Sequence, residues 1–288
     1  MTGKEIRQRL EALAAWGIWL LFRALPLDAA SALGGWLARM VGPHLGVNRV
    51  ARRNLARTFP EKSEAERAAI LRGMWDNLGR VAGEFPHLER IATERIETIG
   101  GEEIDRMRDD GKPGIFISGH LGNWELGGAV ALQRGLPLHL VYRAANNPWI
   151  ENLYRKGRKG AAGDQIQKGA AGARQAIKVL KAGGHLGMLV DQKMNDGVPI
   201  PFFGRDAMTA PAMAQFATRF SCPLVPARVE RLGGAHFRIT ILPPLSFPHT
   251  GDIHDDNRLL LGRINLLMEE WVRERPEQWL WLHRRWPD

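Results

Sequence analysis

Apolar positions recur every three to four residues through the first hundred positions, then give way to short unbroken apolar runs separated by helical stretches. The early pattern predicts helices. Ile6, Leu10, Leu13, Gly17, Leu20 and Ala24 fall on one helical face, widened by Trp16, Trp19 and Phe22. After Pro60, Ser63 and Glu66 have the spacing of a capping box, in which each side chain accepts the other residue's backbone N–H. Leu71, Met74, Trp75, Leu78, Val81, Ala82 and Phe85 then form one stripe at a period of about 3.6. No strand-like alternation is visible before residue 100. From Gly114 onward, Gly114–Ser118, Leu138–Tyr142, His185–Val190, Leu224–Val229 and His236–Leu242 read as strands. Helices are expected near 123–133, 147–159, 170–182, 209–220 and 255–273, the last with Leu260, Ile264, Leu267 and Trp271 on one side.

Strands and helices in alternation predict an α/β fold: a helical N-terminal region packed on a largely parallel sheet flanked by helices. With no repeat, low-complexity tract or flexible linker, the chain is expected to form one domain over 1–288. Within it, 1–27 is expected to be an interfacial helix, 28–100 a helical subregion and 101–288 the α/β core.

The N-terminal helix bears on membranes. Ala12–Phe22 carries no charge, but Arg23 and Asp28 cut the run short of the roughly 20 apolar residues a span needs. No small-residue cleavage site follows, which argues against a removable signal. With Lys4, Arg7 and Arg9 nearby, the pattern suits a helix lying in a lipid interface, although an ordinary core helix has the same periodicity.

Charge and composition sharpen this. The 288 residues carry 40 Lys and Arg against 31 Asp and Glu, a net +9 that favours anionic partners. Ten tryptophans against two tyrosines suit a bilayer interface as well as a core. The single cysteine, Cys222, excludes a disulfide framework and a cysteine-rich zinc site, and its apolar setting reads as packing. Arg155, Lys156, Arg158, Lys159 and Lys168 concentrate charge, either as a solvated helix face or as a contact for lipid phosphates or an acidic carrier protein. Few aromatics interleave with them and no nucleic-acid motif is present, so nucleic acid is not expected as a partner.

The candidate chemistry lies in Ser118-Gly-His120-Leu-Gly-Asn-Trp-Glu125. An apolar strand delivers His120 into a glycine-flanked turn, and a helix is expected from Asn123, a good N-cap. Sites in open α/β sheets collect at the carboxyl ends of strands, where this turn falls. A neutral imidazole can take a proton from an attacking hydroxyl, and a nearby carboxylate holds its tautomer and stabilises the imidazolium. Glu125 is the expected carboxylate, folding back from the first helical turn. A structural histidine beside a capping glutamate is the plain alternative.

These residues resemble the His-x4-Asp/Glu signature of glycerolipid-type acyltransferases, and their surroundings resemble the lipid A biosynthesis lauroyl and myristoyl acyltransferases. Asn54-Leu-Ala-Arg-Thr-Phe-Pro60, Val141-Tyr-Arg143 with Asn146-Asn-Pro148, Leu189-Val-Asp-Gln192 and Pro201-Phe-Phe-Gly204 with Thr209 extend the likeness in order from about residue 45 to the C-terminus. The N-terminal apolar segment is weaker than the anchor usual in that family. A Phe-Pro-Glu-Gly glycerol-phosphate motif is absent.

The resemblance implies direct acyl transfer from a thioester of acyl carrier protein or coenzyme A to a hydroxyl of an anionic glycolipid, a lipid A precursor. No cofactor or metal is implied. His120 would be the base and Glu125 its support. Arg143 would serve as oxyanion donor or as a two-pronged phosphate ligand, with a purely structural role as the alternative. Asp191 and Gln192 would orient Arg143 or the acceptor sugar, or stabilise a turn, and Arg205 is a weaker phosphate ligand. The implied location is the cytoplasmic face of a bacterial inner membrane, peripheral or monotopic. Relatives acylating phosphatidylinositol mannosides, ornithine lipids or lysophospholipids share much of the pattern. Two other classes remain: a metal-dependent hydrolase with His120, Glu125, His185 and Asp191 on zinc, and a non-catalytic membrane-binding module. The first is disfavoured because His185 and Asp191 stand at opposite ends of one strand.

Overall fold

A computed structural model describes residues 2–159, 163–246 and 250–287. Five helices open the chain: α1 (Gly3–Ala24), α2 (Leu27–Val41), α3 (Asn48–Thr58), α4 (Glu64–Glu84) and α5 (Leu88–Glu94). Strand β1 (Ile96–Ile99) and helix α6 (Gly101–Asp109) precede the alternating part. That part runs β2 (Gly114–Ser118), α7 (Ala129–Gln133), β3 (Leu138–Tyr142), α8 (Pro148–Gly157), β4 (Gln165–Gln167), α9 (Ala170–Lys181) and β5 (His185–Leu189). A hairpin of β6 (Val198–Phe202) and β7 (Arg205–Thr209), then α10 (Ala212–Phe220), β8 (Leu224–Gly233), β9 (His236–Ile241) and α11 (Ile253–Glu274), complete it.

Seven strands form one sheet in the order β1-β9-β8-β2-β5-β3-β4. All neighbours are parallel except β8 and β9. The α/β class read from the sequence is therefore the observed one. Strand β2 lies inside the sheet with every residue buried, as its unbroken apolar run requires. Ile115 and Ile117 join a core with Leu186, Leu260, Trp271 and Trp281, whereas Phe116 joins a second core with Met107, Val225 and Phe237.

The capping box at Ser63 and Glu66 is present, and α4 buries Leu71, Met74, Trp75 and Val81. Small residues let α2 approach it closely. A Cβ on Gly34 would stand 2.2 Å from the Gly79 carbonyl oxygen, so neither helix tolerates a larger residue there without moving.

Three expectations fail locally. The first hundred residues are not wholly helical, because Ile96–Ile99 pairs in parallel with β9. This strand is short and mostly exposed, so its hydrogen-bonded partner decides its conformation and no alternating burial marks it. The stretch 123–133 is a 3₁₀ turn, Trp124–Leu126, and a separate α7, divided at Gly127 and Gly128. Finally, β4 (Gln165–Gln167), β6 and β7 were not anticipated. Prolines 199 and 201 obscure β6, yet as one strand of a two-stranded ribbon it has a free side where their missing N–H groups cost little.

Candidate active site

Parallel register builds the site. Ser118 and Leu189 are paired at the ends of adjacent strands β2 and β5. Two residues beyond each stand His120 and Asp191, which places a histidine and a carboxylate side by side. His120 Nδ1 lies 2.7 Å from Asp191 Oδ1, and the His120 backbone N–H donates to Oδ2 at 2.8 Å. The Trp279 indole N–H donates to the same Oδ2 at 2.7 Å. Asp191 is 2% exposed at its side chain and His120 14%, so the carboxylate is sealed while the imidazole reaches a cavity.

Burial alone would push the Asp191 carboxyl up. The charge of His120, its two N–H groups and the Trp279 indole outweigh that and hold the carboxyl far below the usual carboxylate range. In the neutral imidazole an ionised Asp191 holds the proton on Nδ1, and Nε2 then carries its lone pair toward the cavity. Gln192 Nε2 lies 3.1 Å from that atom and can donate to it. Asp191 and Gln192 therefore hydrogen-bond His120, a partner the sequence reading did not give them.

The expected pairing of Glu125 with His120 is also absent. Glu125 accepts from Arg158 Nε at 2.6 Å and from Nη2 at 2.9 Å, a two-pronged ion pair joining the 3₁₀ turn to the end of α8. The Asn123 side chain accepts the Glu125 backbone N–H and sets that turn. The Arg158 guanidinium also lies over the rings of Tyr142 and Tyr154, at 5.4 and 5.6 Å. Read from sequence, Arg158 was one member of a basic run. Only its distance from Glu125 in the fold singles it out.

The N-terminal helices and the C-terminal segment hold the His120 turn from both sides. Gly122 takes φ +53°, and a Cβ there would stand 2.8 Å from the Val229 carbonyl oxygen, so glycine is required. Asn77 of α4 donates to the Gly122 carbonyl at 2.9 Å, and Asn123 donates to the fully buried Glu84 at 2.9 Å. Glu84 is itself paired with Arg231 and accepts from Ser31 at 2.7 Å. On the other side, the His120 carbonyl accepts from Leu280 N–H at 3.1 Å. Nothing local in the sequence pointed to Trp279, Asn77 or Glu84, because each acts across the fold.

The cavity over these residues measures about 200 Å³. Phe116, Leu138, Leu140, Gly187, Met188 and Ala227 supply apolar lining. A Cβ on Gly187 would meet Leu140 at 2.5 Å, so glycine leaves room on this wall. Its polar members include His120, Glu125, Arg143, Arg158, Lys168 and Gln192, with the Trp124 ring 5.3 Å from the His120 ring. Burial pushes the Lys168 ammonium down; Asp191 draws it up and Arg143 adds to the fall. Arg205 stands apart. It is exposed at the tip of the β6–β7 hairpin and does not line the cavity, because Phe202 and Phe203 fold inward there and Gly204 turns the chain at positive φ.

The four residues weighed as zinc ligands do not converge. Glu125 is held by Arg158, and His185 lies at the start of β5, against Gly114. Among the described residues no three of His, Cys, Asp and Glu are placed to share a metal ion.

His283 stands within electrostatic reach of Asp191 and His120. Burial, with the positive charges of His120, Arg285 and Lys168, drives its imidazole down to about 4 against the pull of Asp191. The Lys193 backbone N–H donates to its Nδ1 at 3.3 Å, which only an unprotonated nitrogen accepts. An unfolded histidine titrates near 6.5, so the unfolded chain binds more protons in the interval between. The contribution of neutral His283 is whole above about pH 6.5 and is lost as pH falls toward about 4. Thermal melts across this range should show the decline, and His283→Gln should flatten it, since an amide still accepts from Lys193 but does not titrate. Equal acid sensitivity in the variant would refute this.

Fold and cavity define an α/β enzyme in which an apolar slot leads to a carboxylate-held imidazole. Residues 4–288 match the family described as bacterial lipid A biosynthesis acyltransferase, and the chain belongs to it; it is an acyltransferase. It is 28% identical to the lipid A biosynthesis lauroyltransferase of Escherichia coli K12, covering 93% of this chain and 88% of that protein. It is 26% identical to the lipid A biosynthesis myristoyltransferase of the same organism, over 93% and 85%. A lipid A biosynthesis acyltransferase of Haemophilus influenzae is 24% identical, over 93% and 86%.

Proposed function

We propose that the protein transfers a fatty acyl group from a thioester of acyl carrier protein or coenzyme A to a hydroxyl of a lipid A precursor, with His120 as general base. The observation that carries this reading is the His120 Nε2 facing a partly apolar cavity while Nδ1 is held by Asp191. The acceptor hydroxyl gives its proton to Nε2 as its oxygen attacks the thioester carbonyl. The C–S bond of the resulting oxyanion breaks, and the departing sulfur takes the proton back from the imidazolium. The acyl chain lies along Phe116, Leu138, Leu140 and Ala227. Arg143 and Arg158 stand at the same cavity as donors for the oxyanion or for an acceptor phosphate.

Glu125 acts here through Arg158. With Nε and Nη2 bound to Glu125, the guanidinium is fixed in orientation and keeps Nη1 available. Glu125→Ala and Arg158→Ala should each lower kcat/KM by about tenfold to a hundredfold, and the double variant should cost little more than either, since each single change disables the same unit. A double-mutant cycle on acyl transfer checks it, and additive losses would exclude the shared role.

Membrane association fits the same activity. No helix among the described residues is long and apolar enough to cross a membrane. Instead α1 leaves Leu10 61% and Leu13 69% exposed, while Trp19 and Phe22 turn inward. It rests on α8, where Lys156 lies over the Trp16 and Trp19 rings and Asn147 donates to the Gln8 carbonyl at 2.8 Å. The reading is of a peripheral enzyme on the cytoplasmic face of a bacterial inner membrane. Incubation of purified protein in detergent with a lipid A precursor and an acyl thioester, followed by mass spectrometry, tests the activity. Addition of one acyl mass to the acceptor supports it. Thioester consumption without acceptor gain would exclude the acceptor class.

A further inference from the structure

A second groove lies between α2, α3 and α4 and shares no residue with the catalytic cavity. It measures about 650 Å³, with Leu55, Leu71 and Trp75 among its lining residues. Four arginines surround this apolar base: Arg39, Arg52, Arg67 and Arg72, with Glu64 as the one carboxylate lining it. Arg39 is paired with Asp76, and Arg67 donates to the carbonyls of Phe59 and Lys62. Arg52 and Arg72 are exposed and make no ion pair among the described residues. Even with Glu64 counted against them, the groove is cationic over an apolar base.

The adjoining surface is apolar and uncovered. Trp36 and Met40, one turn apart on α2, are 52% and 59% exposed, and Leu37 and Val41 repeat the pattern beside them. Ala30, Gly34 and the neighbouring small residues face α4 instead, so this stripe is surplus to the helix packing. An apolar stripe with tryptophan, bordered by unpaired arginines, matches the boundary between acyl chains and anionic headgroups. A soluble acidic protein would satisfy the arginines but leave the stripe in water.

We infer that this groove is a headgroup site for an anionic phospholipid of the bilayer, with Arg52 and Arg72 on the phosphate and the α2 stripe in the acyl region. The site would give the protein a second membrane contact besides α1. The inference rests on the reading that the protein works at a membrane surface.

Flotation of the full chain with phosphatidylcholine vesicles, with and without phosphatidylglycerol, separates the two contacts. The double variant Arg52→Glu/Arg72→Glu should bind phosphatidylglycerol vesicles about tenfold or more weakly than the unaltered chain, with little change on pure phosphatidylcholine. Arg52→Lys/Arg72→Lys should keep most of the binding, and acyl transfer in detergent should be unchanged in both. Leu10→Ser/Leu13→Ser should instead weaken binding to both vesicle types, which reads the α1 contact alone. Equal flotation of the charge-reversed and unaltered chains on phosphatidylglycerol would overturn the groove site. So would a loss of equal size on both vesicle types.

Discussion

His120→Ala should lower acyl transfer by about a thousandfold or more, within the range that positioned general bases contribute, while leaving the fold intact. The side chain is at a cavity wall and its backbone bonds remain: N–H to Asp191 and carbonyl to Leu280 N–H. KM for both substrates should change little, because Nε2 is asked to act as the proton moves rather than to hold either substrate. Steady-state kinetics with a thioester donor in detergent, alongside circular dichroism, decide the matter. Turnover close to that of the unaltered enzyme would remove His120 as base and with it the proposed reaction sequence.

Asp191→Asn should be nearly as damaging, with a loss of about a hundredfold to ten thousandfold, although one atom changes element and volume barely changes. The two carboxylate oxygens accept three hydrogen bonds: the imidazole Nδ1–H on one, the His120 backbone N–H and the Trp279 indole N–H on the other. An amide offers one oxygen. If that oxygen faces Nδ1, its NH2 confronts two donors. If it faces those donors, the NH2 forces Nδ1 to accept and puts the proton on Nε2, where it blocks proton abstraction. Glu125→Gln disturbs neither outcome, so the ratio of the two losses distinguishes the observed partner of His120 from the one expected from spacing. Nitrogen chemical shifts of the imidazole provide a second readout, because Asp191→Asn should move the proton between ring nitrogens. An unchanged tautomer with full activity would count against Asp191.

Much of the architecture was legible in the chain. The helix over Glu64–Glu84 was readable because its capping box and apolar stripe lie within one turn-forming segment. Strand β2 was readable because burial on both faces demands an unbroken apolar run, and the partly buried β3 and β5 because they remain mostly apolar. The strands that escaped notice, β1, β4, β6 and β7, are short, edge-placed or rich in polar residues and proline, so their conformation depends on a partner. Around the site, His120, Arg143, Asp191 and Gln192 drew attention by their positions just past strand ends, and the fold places all four at the cavity or its immediate wall. Arg205 lies outside the cavity, because a turn motif says nothing about which way its hairpin faces.

By itself the sequence determined the alternation of strand and helix, the delivery of His120 out of a buried strand, and membership in a family of lipid A acyltransferases. Those properties are local or cumulative along the chain. Which carboxylate the imidazole meets was decided only in three dimensions. Asp191 lies 71 residues from His120, and parallel pairing of β2 with β5 brings the two strand ends level. Glu125 is five positions away in the chain, yet the Asn123-set turn and the Arg158 guanidinium draw its carboxylate into a different bond. Proximity in sequence constrains a side chain loosely, whereas sheet register and a two-pronged ion pair constrain it tightly.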